Sequence, residues 1–272
     1  MTKPLITVFT KSWTEPLPAL ADRLAELGVD GVELAVRPGY QVIPEHVGRD
    51  LPLAMETLGR RGLAIPSIAG SIDERTIAAC GDADVGIIRV CLPIDMSIGY
   101  LATIERYRRE FDEVLPALDR FGVTIGVQNH SGTHVASAIG MLHLIEHYDP
   151  KHVCAVLDMA HCAVDGEPTA MAVDIVKDRL HGLVNFKSAY HRRTNGPEDE
   201  AIYKVHWTTH RHAGYSWREF ASCLRAIGFS GTYCLPAEYS HPSGKGQRMG
   251  DDVMPYLRED VAHLRILLNE RP

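Results

Sequence analysis

Acids, amides, histidines and a lysine recur in this chain at one kind of place, the end of a short apolar run. Residues 153–157 (VCAVL) are apolar and stop at Asp158, with His161 three positions on. A carboxylate only accepts hydrogen bonds when ionised and an imidazole titrates near neutral pH, so the pair could hold a cation or move a proton. The plainer role for the same two residues is a helix start, with Asp158 as N-cap and His161 on the surface of the first turn. Two further runs end in the same way. Residues 124–127 (TIGV) lead into Gln128-Asn129-His130-Ser131-Gly132, and residues 232–237 (TYCLPA) lead into Glu238-Tyr239. Capping explains one such residue but not several. A parallel sheet covered on both faces gathers its ligands beyond the carboxyl ends of its strands. Collected from run ends, the candidates are Glu33, Arg37, Arg89, Gln128, His130, Asp158, His161, Asn185, Lys187 and Glu238. Lys187 follows an apolar run, where an unpaired ammonium is costly to bury, which favours a functional role. Glu33 with Arg37 could instead be a strand-end ion pair, and Arg89 could bridge carboxylates.

The elements that must position these groups repeat along the chain. Strand-like runs fall at 5–10, 31–35, 63–68, 87–92, 124–129, 153–158, 182–188 and 232–238. Helical spacing follows them at 16–27, 44–61, 73–79, 100–121, 135–147, 169–180, 217–227 and 252–268. Eight strands alternating with eight helices predict an α/β fold, a (βα)₈ TIM barrel formed as a single domain over 1–272. An open doubly wound sheet is the alternative, but no G-x-G-x-x-G or P-loop pattern follows the first strand. One connection is long. Residues 189–216, after the seventh strand, carry Arg192, Arg193, His191, His206, His210 and His212. The histidine spacing matches no zinc template, so the segment reads as a loop that contacts substrate, with His191 among the binding candidates.

With 272 residues, 45% of them hydrophobic, the chain can bury one large core. A formal net charge of −7 without a Lys/Arg-rich run argues against a nucleic-acid partner. No run of about 18 apolar residues exists and no signal segment opens the chain, so no membrane partner and a cytoplasmic location are expected. The six cysteines form no C-x-x-C pair and read as reduced structural thiols. A homo-oligomer remains open.

The segments Val32-Glu33-Leu34, Gln128 to Gly132, Leu157 to His161, Phe186-Lys187 and Glu238-Tyr239, in this order, resemble the sugar phosphate isomerase/epimerase group of xylose-isomerase-like barrels. The resemblance implies a small carbohydrate substrate and one divalent ion held at the ends of the fifth to eighth strands. Its ligand positions fall here on Gln128, Asp158, Asn185 and Glu238. Two of the four depart from the family pattern, Gln128 standing for a carboxylate and Asn185 for an imidazole. An oxygen-only set would favour Mg²⁺ or Mn²⁺ over Zn²⁺. Gln128 cannot exchange a proton, which leaves Glu238 as the one base, with His161 and Lys187 as acid or oxyanion stabiliser. Glu33, Arg37, Arg89, His130 and His191 are the candidates for substrate binding. The expected activity is therefore a carbohydrate isomerase using metal-assisted proton abstraction beside a carbonyl. Alternatives are a lyase or dehydratase acting on a keto sugar, and a barrel that binds sugar without turning it over. An endonuclease of the same barrel superfamily is disfavoured by the acidic balance.

Overall fold

In the computed structural model, which describes residues 4–212, 214–244 and 246–270, the apolar runs close into a barrel. Its eight parallel strands are β1 (Leu5–Phe9), β2 (Gly31–Ala35), β3 (Ala64–Ala69), β4 (Ile87–Cys91), β5 (Thr124–Gln128), β6 (Val153–Asp158), β7 (Leu180–Asn185) and β10 (Thr232–Leu235). The order around the barrel is β1-β10-β7-β6-β5-β4-β3-β2, with β1 pairing both β10 and β2. The register sets Asp158 level with Asn185, and Asn185 level with Cys234. Three neighbouring strands therefore deliver Gln128, Asp158 and Asn185 to one end.

Between the strands run α1 (Leu17–Leu27), α2 (Val47–Gly59), α3 (Glu74–Asp82), α4 (Tyr100–Phe121), α5 (Ala138–Ile145), α6 (Met159–Val164), α7 (Thr169–Val176), α8 (Trp217–Ala226) and α9 (Met254–Asn269). Each turns one apolar stripe inward. In α1 the buried residues are Leu20, Ala21, Leu24 and Leu27, a helical period that ends at Gly28 in the left-handed region. Asp73 caps α3 by accepting from the Thr76 N–H. The core has two parts. A large shell of Val, Leu and Ile fills the space between strands and helices. A small plug of Phe9, Ala35, Ala69, Ile87, Val156, Leu183 and Cys234 fills the barrel interior, as inward-facing layers do in such barrels.

The long segment after β7 is not an irregular loop. It folds as an antiparallel hairpin, β8 (Ser188–Arg193) and β9 (Tyr203–Thr208), with Ala189 opposite Trp207 and His191 opposite Val205. The alternation in residues 203–208 (YKVHWT) and the turn residues Asn195-Gly196-Pro197 carry this signal, which the histidine content obscures. Residues 159–164 form a short helix of their own that begins directly after the strand, with Asp158 as its N-cap. Among the described residues no helix is long and apolar enough to cross a membrane.

Gly126 shows how tightly the interior is filled beneath the site. A Cβ there would lie 2.7 Å from Val156 Cγ2 and 3.1 Å from Ile87 Cγ2. Gly126→Ala is expected to cost about 1–3 kcal/mol by overpacking, read as a shifted denaturant midpoint at unchanged slope. A neutral substitution would mean that the barrel interior is looser than this packing requires.

Candidate functional site

Asp158 ends β6 and starts α6, and its two carboxylate oxygens do different work. Oδ1 accepts from the backbone N–H groups of Ala160 at 3.2 Å and His161 at 3.4 Å, so the capping role is real. Oδ2 faces the barrel axis. It accepts from Gln128 Nε2 at 2.9 Å and Asn185 Nδ2 at 3.5 Å, and lies 3.2 Å from Lys187 Nζ. Asn129 locks the backbone of the same residue, its Oδ1 accepting from the Asp158 N–H at 2.8 Å and its Nδ2 donating to the Asp158 carbonyl at 3.1 Å. Capping and site roles are thus compatible because each uses a separate oxygen.

Lys187 is the hub. Its Nζ lies 3.0 Å from Glu238 Oε2 and 2.8 Å from His161 Nε2, and the ring of Trp207 on β9 covers it with 4.4 Å to the centroid. The same indole meets His161 edge-on at 5.1 Å, so the hairpin roofs the cluster. A second ammonium, Lys11 after β1, pairs with Glu238 Oε1. His161 Nδ1 accepts from the backbone N–H of Ser131 at 3.1 Å and lies 2.8 Å from its hydroxyl. His130 packs 4.0 Å from His161 and 4.4 Å from His134, centroid to centroid, continuing the row outward. Glu238 is aimed by its predecessor. Ala237 has φ of +56°, a left-handed conformation that costs a non-glycine residue about 1–2 kcal/mol, and Ser12 Oγ donates to its carbonyl at 2.9 Å. Such strain persists where surrounding structure enforces it, commonly at functional sites.

The electrostatics follow from burial and charge pairing. Burial alone would raise the Glu238 carboxyl, but the ammoniums of Lys187 and Lys11 outweigh it and hold the group far below the usual carboxylate range. Burial likewise opposes the Lys187 charge, and the Asp158 and Glu238 carboxylates more than offset it, leaving a stable ammonium. Asp158, fully buried, is raised by that burial despite Lys187. Burial, with help from Lys187, pushes His161 well below its ordinary value, and burial pushes His130 down to about 4, so both rings are neutral at pH 7.

The cluster opens on a cavity of about 180 Å³ lined by Phe9, Lys11, Arg37, Arg89, Gln128, His130, Asn185, Lys187 and Glu238 among others. At roughly 30 Å³ per water this holds about six waters or one small molecule of similar size. Four cations border it, and the Phe9 ring lies 4.5 Å from the Arg89 guanidinium and 5.4 Å from that of Arg37.

Most of the residues predicted from sequence converge here: Gln128, His130, Asp158, His161, Asn185, Lys187, Glu238, Arg37 and Arg89. Four do not line the cavity: Asp158 and His161 are fully buried and contact Lys187 instead, and Glu33 and His191 lie elsewhere. Glu33 is fully buried behind Arg89, which it grips with two bonds of 2.8 and 2.7 Å, so it holds a guanidinium rather than a substrate and is not paired with Arg37. His191 is exposed on β8: it shares a face with Ala189 and Trp207 but lies two residues further along the hairpin, where the strand has left the buried part of the site. Arg192, Arg193 and His206 line a separate cleft of about 350 Å³ with Ser240 and Gln247. His210 accounts for the other histidine signal. It bonds Asp260 at 2.9 Å and stacks on His263, tying the hairpin to α9. Sequence reasoning missed Lys11, Trp207, Ser131 and Asn129. Lys11 had a usable signal, since it follows the first strand run as the other candidates follow theirs. Trp207 had none, because only the hairpin brings it over Lys187.

Residues 21–266 match the family described as Xylose isomerase-like TIM barrel. The chain belongs to this family. No curated protein matches it. Among solved structures, the D-psicose 3-epimerase of Clostridium cellulolyticum H10 with D-tagatose superposes with a TM-score of 0.70 at 15% identity, covering 97% of this chain and 99% of that one. The probable 3-DHS dehydratase AsbF of Bacillus anthracis gives 0.67 at 11% identity over 96% and 98%. A xylose isomerase-like TIM barrel protein from Mycobacterium smegmatis in complex with magnesium gives 0.64 at 16% over 98% and 97%. Identities this low establish a shared fold.

The four positions expected to ligate a divalent ion do meet, and Gln128 Oε1 and Asn185 Oδ1 are buried without partners. Two observations nevertheless set them against such an ion. An ion held by Asp158 and Glu238 would lie about 2.0–2.6 Å from their oxygens, in the place that Lys187 Nζ takes, and the amides turn their N–H ends to Asp158. The charge is also already balanced, two carboxylates (Asp158, Glu238) facing two ammoniums (Lys187, Lys11). A dication about 4 Å from an ammonium meets a repulsion on the order of 8 kcal/mol at an effective dielectric near 20. As arranged, these residues do not fit a divalent ion. Among the described residues, the one group of three His, Cys, Asp or Glu side chains with converging ligand atoms is His210, Glu259 and Asp260, which lies outside the cavity.

The Glu33–Arg89 pair gives a direct test of how dry this floor is. Glu33→Gln leaves a buried guanidinium without its counter-charge, a change expected to cost about 3–5 kcal/mol in chemical denaturation. A loss below about 1 kcal/mol would show that Arg89 finds water or another partner.

Proposed function

We propose that this chain is a carbohydrate isomerase that moves a proton from the carbon beside the carbonyl of a sugar or keto-sugar derivative to the carbonyl carbon. The observation that carries the reading is the cavity's single carboxylate. Glu238 opens on the cavity, while Gln128 occupies the end of β5 and cannot exchange a proton. One base on one face suits transfer between neighbouring carbons and not inversion through two opposed bases.

In this scheme Glu238 takes the proton from the carbon beside the carbonyl. The C–H electron pair becomes the enediolate double bond, and the carbonyl pair moves onto oxygen. Lys187 donates to that oxygen, where its fixed positive charge lowers the barrier. Glu238 then returns the proton to the neighbouring carbon. The resting Glu238 is a weak base because two ammoniums hold it. A substrate oxygen that draws Lys187 toward itself loosens one of those pairs and restores basicity where it is needed. As the new carbonyl forms, its hydroxyl proton passes to the neighbouring oxyanion, so protons and charge balance within the substrate. Arg37, Arg89 and Lys11 supply donors for hydroxyl or anionic groups. Trp207 excludes water from the ammonium.

Glu238→Gln keeps size and hydrogen bonding but removes the base. Incubation of a ketose and keto-sugar panel in D₂O is expected to show exchange at the carbon beside the carbonyl for the parent, and about 10²–10⁴-fold less for the variant. Exchange with loss of water from the product would assign a dehydratase, which starts with the same abstraction. Exchange by Glu238→Gln at the parent rate would move the base elsewhere, and no exchange on any member of the panel would leave a sugar-binding barrel.

A further inference from the structure

We propose that the Lys187 ammonium is the built-in cation of this site, standing where a xylose isomerase-like barrel can carry a divalent ion and supplying the charge for a substrate oxyanion. Three observations on this chain support it. Lys187 Nζ is the common neighbour of Asp158 Oδ2, Glu238 Oε2 and His161 Nε2, at 3.2, 3.0 and 2.8 Å. Its stem rises from the second of the two residues between β7 and β8, so the hairpin that supplies the Trp207 lid also fixes the ammonium beneath it. The polar residues around it match its single charge. Gln128 and Asn185 carry none, and Lys11 satisfies the other oxygen of Glu238.

A lysine in this role differs chemically from an ion. It donates protons as well as charge, it presents one contact instead of a chelate to two substrate oxygens, and it stays in place when chelators are present. The site therefore takes a substrate through one carbonyl oxygen at Lys187, with the remaining hydroxyls left to Arg37, Arg89 and His130. This assignment of ligand chemistry rests on the isomerase reading, whereas the assignment of the cation does not.

The test uses the full chain, stripped with EDTA and titrated with Mn²⁺ while the EPR signal of the free ion is followed. The parent is expected to bind no Mn²⁺ at the mouth more tightly than on the order of millimolar. Lys187→Met combined with Gln128→Glu and Asn185→His vacates the central place and adds a carboxylate and an imidazole, and it is expected to bind Mn²⁺ at least about tenfold more tightly than the parent. Lys187→Arg, which keeps the charge, is expected to fold and to remain without Mn²⁺. Parent binding in the micromolar range that is lost in Asp158→Asn would overturn the proposal. So would a triple variant that folds, judged by circular dichroism, and binds no better than the parent. None of these readouts needs a substrate, so an inactive panel in the exchange assay leaves the cation result standing, and Mn²⁺ binding by the parent leaves Glu238 as the base.

Discussion

A lysine ammonium buried beside two carboxylates and an imidazole must keep its partners or give up its charge, since neither the cation nor the anions can turn to water. Lys187 imposes that condition on four separate elements. Asp158 must end β6, Glu238 must follow β10 through a strained Ala237, His161 must sit in the first turn of α6, and the hairpin must bring Trp207 over the top. The barrel register meets it by setting neighbouring strand ends level.

Around that cluster the protein spends many polar contacts on orientation. Asn129 holds the Asp158 backbone at both its N–H and its carbonyl, and the Ser131 backbone and hydroxyl meet one nitrogen of His161. The Glu33–Arg89 pair does the same for the cavity floor, where Phe9 lies against the guanidinium. Asn129, Ser131 and Glu33 touch other site residues and do not line the cavity. They keep the cavity-facing groups in one arrangement, which is what electrostatic stabilisation of a charge that forms only during reaction requires.

Family membership and mechanism separate here. The xylose isomerase-like barrel sets where the strand ends meet, and structures that share the fold include both an epimerase and a probable dehydratase. In this chain uncharged amides stand at the ends of β5 and β7, and two lysines are aimed at Glu238. Charge balance then follows from four side chains, and it differs from what the fold alone would suggest.

The barrel and many of the polar groups at its mouth are legible in the chain, because both rest on local regularities. Apolar runs of strand length, helical stripes closed by Gly28 and Gly122, and polar residues at successive run ends are periodic and short-range, so they are visible without coordinates. Tertiary structure decided which of those groups share a contact. Glu33 and Arg89 are 56 positions apart, Lys187 and Glu238 are 51 apart, and only barrel closure fixes those distances. The hairpin reads as a loop in the sequence because its histidines mask the strand alternation, and its strands pair chiefly with each other and leave His191 in solvent. The positions named from the strand order lie near one another, and their chemistry turns on where one flexible lysine side chain ends. A four-carbon stem can reach several places, and the choice among them is set by carboxylates that arrive from distant parts of the chain.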